Sequence, residues 1–225
     1  MEKARALALE LLGLEGKGYK ALFLQGGATL QFSLVPRNLM GGKKGVDYIH
    51  TGQWSKKAIA EARRVASVNV AASSEDRSFS YVPEEDSWQL DPNAAYVHIC
   101  LNETIGGVEY FFTPDTGNVP LVADCSSTLL SRPLDVARYG LIYAGAQKNM
   151  GPAGVTLVIV KKEALGSVSR EIPSMLDYKV HLGKDSMFNT PPVFPVYVSM
   201  LTLEWLKDLG GIPFIEKVNQ KKADL

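Results

Sequence analysis

Apolar and polar positions fall along this chain in blocks of two kinds. Short continuous apolar runs read as buried strands, and apolar residues at three- and four-residue spacing read as helices. Ala4, Leu7, Ala8, Leu11 and Leu12 place a helix over residues 3–12. Lys20–Leu24 is the first strand, and Gln25-Gly26-Gly27-Ala28-Thr29 turns it into a helix through Phe32, Val35 and Leu39. Pro36 lacks an N–H and crowds the preceding turn, so it is expected to bend or shorten that helix. Val46–His50 is the next strand. Thr51-Gly52-Gln53-Trp54-Ser55 then opens a helix through Ile59, Ala62 and Val65, and Ser67–Ala72 is extended.

Residues 73–94, polar and carrying Pro83 and Pro92, read as surface connection. Ala95–Leu101 is a strand ending at Asn102-Glu103-Thr104, and Gly106-Gly107 begins a hairpin-like piece reaching Phe112. Leu121–Ala123 is a strand ending at Asp124. Tyr139–Ala146 reads as a strand, turns polar at Gln147-Lys148-Asn149, breaks at Gly151-Pro152 and resumes as the apolar run Val155–Val160. Residues 192–209 hold a last helix with Val196, Met200, Leu203 and Leu206 on one side, entered through a capping Thr190 and prolines at the first turn. Strands alternating with helices predict an α/β domain with a largely parallel sheet.

Composition narrows this picture. The 225 residues suffice for one well-buried domain over residues 1–225. With 24 basic and 24 acidic residues, nothing electrostatic points to nucleic acid or an anionic membrane surface. The apolar runs are too short to span a membrane, and the first residues do not read as a secretory signal. Cys100 and Cys125 have no metal spacing and end apolar runs, so they read as buried free thiols in a reducing, cytoplasmic setting.

Candidate chemistry collects at strand ends, where open α/β sheets bind ligands. Gly26-Gly27-Ala28-Thr29 leads from a strand into a helix, where small residues and the helix N-terminus suit a phosphate. The alternative there is a plain tight turn. Asp124 precedes Ser126, Ser127 and Thr128; it could stay ionised by accepting hydrogen bonds and pair with a pyridine nitrogen, or serve the commoner turn and cap role of Asp before serines. Trp54 could stack on a flat ring or simply pack. Lys148 lies between two core strands, where an ammonium is costly to desolvate; a neutral or imine-linked amine avoids that cost. The three histidines have no ligand or triad spacing and read as structural, and no Gly-x-Ser-x-Gly elbow surrounds Ser126 or Ser127. An imine-forming lysine, a ring-nitrogen carboxylate, a stacking aromatic and a phosphate cradle together ask for pyridoxal phosphate.

Several stretches, in order, resemble the phosphoserine aminotransferase family. They are Phe23–Phe32, Asn102-Glu103-Thr104-Ile105-Gly106-Gly107, Ala123-Asp124-Cys125-Ser126-Ser127 with Ser131-Arg132-Pro133, Tyr143–Gly154, and Ser186-Met187-Phe188-Asn189-Thr190-Pro191-Pro192. The resemblance implies a fold-type-I large domain that binds pyridoxal phosphate, with a mostly parallel seven-stranded sheet and helices on both faces. It implies transamination between glutamate and 3-phosphohydroxypyruvate, giving phosphoserine in serine biosynthesis. It also implies roles. Lys148 would form the imine and shuttle a proton; Asp124 would pair with the ring nitrogen and Trp54 stack on the ring. Thr104 would bond near the ring hydroxyl, and Ala28, Thr29 and Gln147 would hold the phosphate. Asn189 and Thr190 would reach the cofactor of a neighbouring subunit in a homodimer. Some members carry arginine where Thr29 stands. The family's His-Arg segment upstream and its arginine-bearing small domain downstream have no counterpart within residues 1–225. The chain is therefore expected to be a cofactor domain with reduced turnover. The alternatives are a cofactor-binding domain without catalytic competence and a related aminotransferase with another substrate pair.

Overall fold

The two sequence periods become elements close to where the pattern puts them. In the computed structural model, which describes residues 1–165 and 172–225, the chain opens with helix α1 (Glu2–Leu11), strand β1 (Tyr19–Leu24), α2 (Gly27–Leu39), β2 (Gly45–His50), α3 (Gln53–Ala62) and β3 (Ser67–Ser73). It continues through β4 (Val97–Cys100), the two short strands β5 (Asn102–Glu103) and β6 (Val108–Glu109), β7 (Leu121–Asp124), β8 (Leu141–Gly145) and β9 (Thr156–Lys161). Helices α4 (Tyr178–Gly183), α5 (Val193–Asp208) and α6 (Ile212–Ala223) complete it.

Seven strands form one sheet in the order β1-β9-β8-β7-β4-β2-β3. Every neighbouring pair from β8 to β3 is parallel, whereas β9 is antiparallel to both β8 and β1. Only residues 146–155 separate β8 from β9, too little chain for the helical crossover that a parallel partner needs. β5 and β6 pair separately as a small hairpin.

Alternation along each strand builds two cores, because successive side chains leave opposite faces of a sheet. Phe23, Ile142, Ala144, Leu157 and Ile159 pack with α1 and α5, while Leu22, Leu24, Tyr143, Val158 and Val160 pack with α2, α3 and α4. The result is a three-layer α/β/α domain. α5 buries Val196, Leu203 and Leu206 and turns Val193, Tyr197, Leu201 and Trp205 outward.

Four local expectations change. α2 runs past Pro36 to Leu39, because the missing N–H falls in the last turn, where little helix remains to be lost. The segment 73–94 is not all surface: Trp88 is buried and donates its indole N–H to Pro83 O at 3.1 Å, and Ala94 is buried beside the sheet. α5 begins at Val193 after Pro192, so Thr190 does not cap it. α5 is not the last helix; α6 follows, signalled by Gly210-Gly211 and by a proline in its first turn. No helix among the described residues is long and apolar enough to cross a membrane.

Candidate active site

β4, β7 and β8 are adjacent: β4 and β7 end together, with Cys100 opposite Asp124, and β8 runs two residues past Tyr143, which lies opposite Asp124. Their carboxyl ends and the first turns of α2 and α3 enclose a cavity of about 330 Å³, within the usual size of a small-molecule site. Cys100, Asp124 and Ser126 form its buried side; Ala28, Thr29 and Phe32 come from α2. Trp54 and Thr104 line a third side, with Gln147 and Lys148 at the exposed rim.

Seven sequence-predicted residues thus meet in one cavity: Ala28, Thr29, Trp54, Thr104, Asp124, Gln147 and Lys148. The other two lie elsewhere on the same chain. Asn189 lines a separate small pocket with Gln25 and His181, and Thr190 O accepts from Gln25 Nε2 at 3.2 Å.

Asp124 is almost fully buried. Its Oδ1 accepts from Ser126 N at 2.9 Å and from Ser126 Oγ at 2.6 Å, the turn role open to an Asp before serines. Among the described residues no donor reaches Oδ2. The Asp124 carboxyl is raised to about 6: burial lifts it most, the two Ser126 bonds hold it down, and the negative charge of Glu103 adds to the rise. Burial outweighs the bonds, so the carboxyl titrates above its ordinary range. An opposite charge at the free oxygen would favour the ionised form further.

Lys148 departs from expectation. It sits in the turn between β8 and β9 and is exposed, so the desolvation argument drawn from its flanking strands does not apply. The turn itself is pinned. Met150 N and Gly151 N donate to Ala146 O at 3.2 and 2.8 Å, and Asn149 Nδ2 donates to Ser127 O at 3.3 Å and Leu129 O at 3.1 Å. What marks Lys148 is its place at the exposed rim of the cavity that Asp124 also lines.

The start of α2 shows why Gly-Gly precedes Ala28. Gly26 has φ of +91° and Gly27 of +67°, which let the strand turn directly into the helix. A Cβ on Gly26 would also fall 2.4 Å from Leu30 Cδ2. No side chain caps this helix, which leaves its first N–H groups available as donors for an anion, and Gly27, Ala28 and Thr29 of this turn line the cavity. Across the cavity, Trp54 Nε1 donates to Thr104 Oγ1 at 3.2 Å, and Lys57 Nζ stands 4.5 Å from the Trp54 ring centroid.

Sequence reading missed Cys100, Ser126 and Phe32 as cavity residues. The signal for Ser126 and Cys100 was positional, since both stand at strand ends that carry recognised residues.

The family description "Aminotransferase class-V" matches residues 1–225. The chain is 58% identical over 210 residues to a phosphoserine aminotransferase of Herminiimonas arsenicoxydans, covering 92% of this chain and 58% of that one. It is 55% identical over 225 residues to one of Flavobacterium psychrophilum, covering 100% and 62%. Among solved structures, a phosphoserine aminotransferase from Bacillus circulans subsp. alkalophilus superposes with TM-score 0.94 at 44% identity, covering 99% of this chain and 61% of that one. A PLP-bound phosphoserine aminotransferase from Trichomonas vaginalis gives TM-score 0.92 at 38% identity, covering 99% and 62%. The chain spans less than two thirds of the length of each of these relatives. With the whole of residues 1–225 matched, and the strand-end cavity in place, the chain belongs to the class-V aminotransferase family.

Proposed function

We propose that the chain is the cofactor-binding part of a pyridoxal-phosphate-dependent transaminase that exchanges an amino group between glutamate and 3-phosphohydroxypyruvate, giving O-phosphoserine and 2-oxoglutarate. The carrying observation is the single cavity with a buried carboxylate at its base, uncapped helix N–H groups along one wall and Lys148 at its rim. Similarity of 58% to a phosphoserine aminotransferase supports the substrate pair.

The donor set fits this cofactor. Ala28 and Thr29 at the start of α2, with Gln147, would hold its phosphate. Asp124, with Oδ2 free, would keep the proton on its ring nitrogen. Trp54 would cover one face of its ring, and Thr104 would meet its ring hydroxyl; Thr104 Oγ1 accepts from Trp54, which leaves its own O–H to donate. Lys148 would hold the aldehyde carbon through Nζ. When bound, the cofactor supplies a carbonyl for amine exchange and an electron-withdrawing ring. Lys148 is then the base placed to move a proton at the substrate Cα. Asn189 and Thr190, which lie away from this cavity in their own chain, would serve the neighbouring site of a homodimer. Buried free Cys100 and Cys125 accord with a reducing, cytoplasmic setting.

The test is intact mass after incubation with pyridoxal phosphate and borohydride. The wild-type chain should gain one reduced cofactor, and Lys148→Ala should gain none. An unchanged adduct in the variant would remove Lys148 from its role. Amino transfer from phosphoserine to 2-oxoglutarate, compared with other amino donors, tests the substrate pair; equal rates for all donors would overturn it.

A further inference from the structure

The Trp54 wall is held by a carboxylate that does not line the cavity. Glu103 ends β5 and is fully buried. Its two oxygens divide their work: Oε2 accepts from Trp54 N at 2.9 Å and Oε1 from Ser55 N at 2.7 Å. Both donors belong to the first turn of α3, which opens at Gln53. A helix start presents unpaired N–H groups and partial positive charge, so it can compensate a buried carboxylate without a cation. Among the described residues no lysine or arginine forms an ion pair with Glu103. Ser55 Oγ takes the two preceding N–H groups, of Thr51 and Gly52, each at 3.0 Å.

Gly52 makes room for this carboxylate. A Cβ there would fall 2.6 Å from Glu103 Cδ and 2.7 Å from Oε2. The backbone at Gly52 is extended, so the close approach, not a special dihedral, is what asks for glycine. The residue after Glu103 is Thr104, whose Oγ1 accepts from the Trp54 indole N–H. Two consecutive residues of the β5–β6 hairpin therefore grip Trp54 at both ends, one at its backbone and one at its ring.

We infer that Glu103 is a positioning residue that fixes the Trp54 indole as a wall of the cofactor cavity, acting through the first turn of α3 and not by touching the ligand. This inference rests on the cofactor reading above for what the wall meets. Glu103→Gln keeps one acceptor oxygen and sets an NH₂ against a backbone N–H. Gly52→Ala displaces the carboxyl while leaving Glu103 in the sequence.

The test uses the chain labelled with 5-fluorotryptophan, with the Trp54 fluorine line assigned by its loss in Trp54→Phe. Spectra are recorded without ligand, beside a pyridoxal phosphate titration. Both variants should shift or broaden the Trp54 line, spare those of Trp88 and Trp205, and weaken cofactor binding about tenfold, the scale of one lost charge-assisted hydrogen bond. In a Glu103→Ala background, adding Gly52→Ala should change nothing further, because the group it displaces is gone. A Trp54 line unmoved in both variants, or all three lines moving together, would overturn the inference. If the wild-type chain takes up no cofactor, the cofactor reading fails, while the ligand-free spectra still decide for or against Glu103 as the anchor of Trp54.

Discussion

Two successive rungs on one face of the sheet treat their polar groups in opposite ways. The inner rung carries Tyr48 and His98, opposite each other; the outer one, two residues further along, carries Cys100, Asp124 and Tyr143, and the Tyr143 hydroxyl reaches back to the inner rung. In the inner rung the polar groups meet one another. His98 Nε2 shares a hydrogen bond of 2.8 Å with Tyr143 Oη, His98 stacks on Tyr48 at 4.6 Å, and Tyr48 Oη bonds Tyr96 Oη at 2.8 Å. Only His98 Nδ1 in that set lacks a partner among the described residues. In the outer rung, Asp124 spends one oxygen on Ser126 and leaves the other to the cavity. The comparison teaches where the domain places cost: the rung that supports the sheet is closed on itself, and the rung that lines the cavity is left incomplete.

The largest effect should come from Asp124→Asn, which separates stability from function. The folded carboxyl titrates near 6 against an ordinary value of 3.8. Between those values the folded state holds a proton that the unfolded state has released, so stability falls as pH rises through the window. Above it the wild-type chain carries the full penalty, about 3 kcal/mol. Ligand-free Asp124→Asn should therefore be more stable than wild type at pH ~8, and the difference should vanish near pH ~4. Single-turnover deamination of a bound amino acid should slow about 10²–10³-fold, the scale for losing one preorganised charge partner. Denaturant unfolding at both pH values and rapid-mixing kinetics measure the two arms. A variant less stable than wild type at the higher pH would sink the claim that the outer rung is costly.

The inner rung should answer oppositely. Burial lowers His98 from 6.5 to about 3. Here the unfolded state holds the extra proton, so stability is lost as pH falls below the unfolded value. His98→Phe keeps a ring over Tyr48 and removes the titration. Relative to wild type it should gain about 2 kcal/mol between pH ~7 and pH ~5, read from urea midpoints at each pH. Tyr143→Phe, at constant pH, should cost about 1–3 kcal/mol by leaving His98 Nε2 unpaired, with pyridoxal phosphate affinity unchanged. A loss of affinity in Tyr143→Phe would mean that the hydrogen bond to His98 and the cavity are not separate.

Much of this arrangement was legible in the sequence, because strand ends are local features. Leu121–Ala123 ending at Asp124, the Gly26-Gly27 turn and the Gln147-Lys148 break all stand where a period changes, and all reach one cavity. Glu103 was not legible as an anchor. Its partners lie 48 and 49 residues away, and no local pattern says that a carboxylate will cap a remote helix. The exposure of Lys148 was misread for a related reason: flanking apolar strands bury their own residues, not the turn that joins them. The reversal of β9 was available from chain length, since so short a connection cannot cross over. Helix α4 was missed because its fixing contacts are distant. Tyr178 Oη bonds Gln31 Oε1 at 2.5 Å and its N–H bonds Asn38 Oδ1 at 2.8 Å, whereas its only local signal is Asp177, which caps Lys179 N at 2.7 Å.

The smallest effect worth measuring lies within the outer rung. Ser126 Oγ donates to Asp124 Oδ1 at 2.6 Å and accepts from Gly145 N at 3.1 Å, tying the end of β7 to the end of β8. Ser126→Ala removes both contacts and leaves Asp124 with Ser126 N alone. The cost should be about 1 kcal/mol, that of one ordinary hydrogen bond, in denaturant unfolding. The more telling readout is the Asp124 carboxyl itself. Burial raises it and the Ser126 bonds hold it down, so losing one bond should move its titration above about 6. A carboxyl-carbon NMR titration reads that shift directly, with Asp124→Asn identifying the resonance. If the midpoint stays where it is while stability drops, Ser126 acts only as a strand tie. If the midpoint rises, the serine holds down the charge of a group that burial would otherwise neutralise, and a cationic partner at Oδ2 should pull it back.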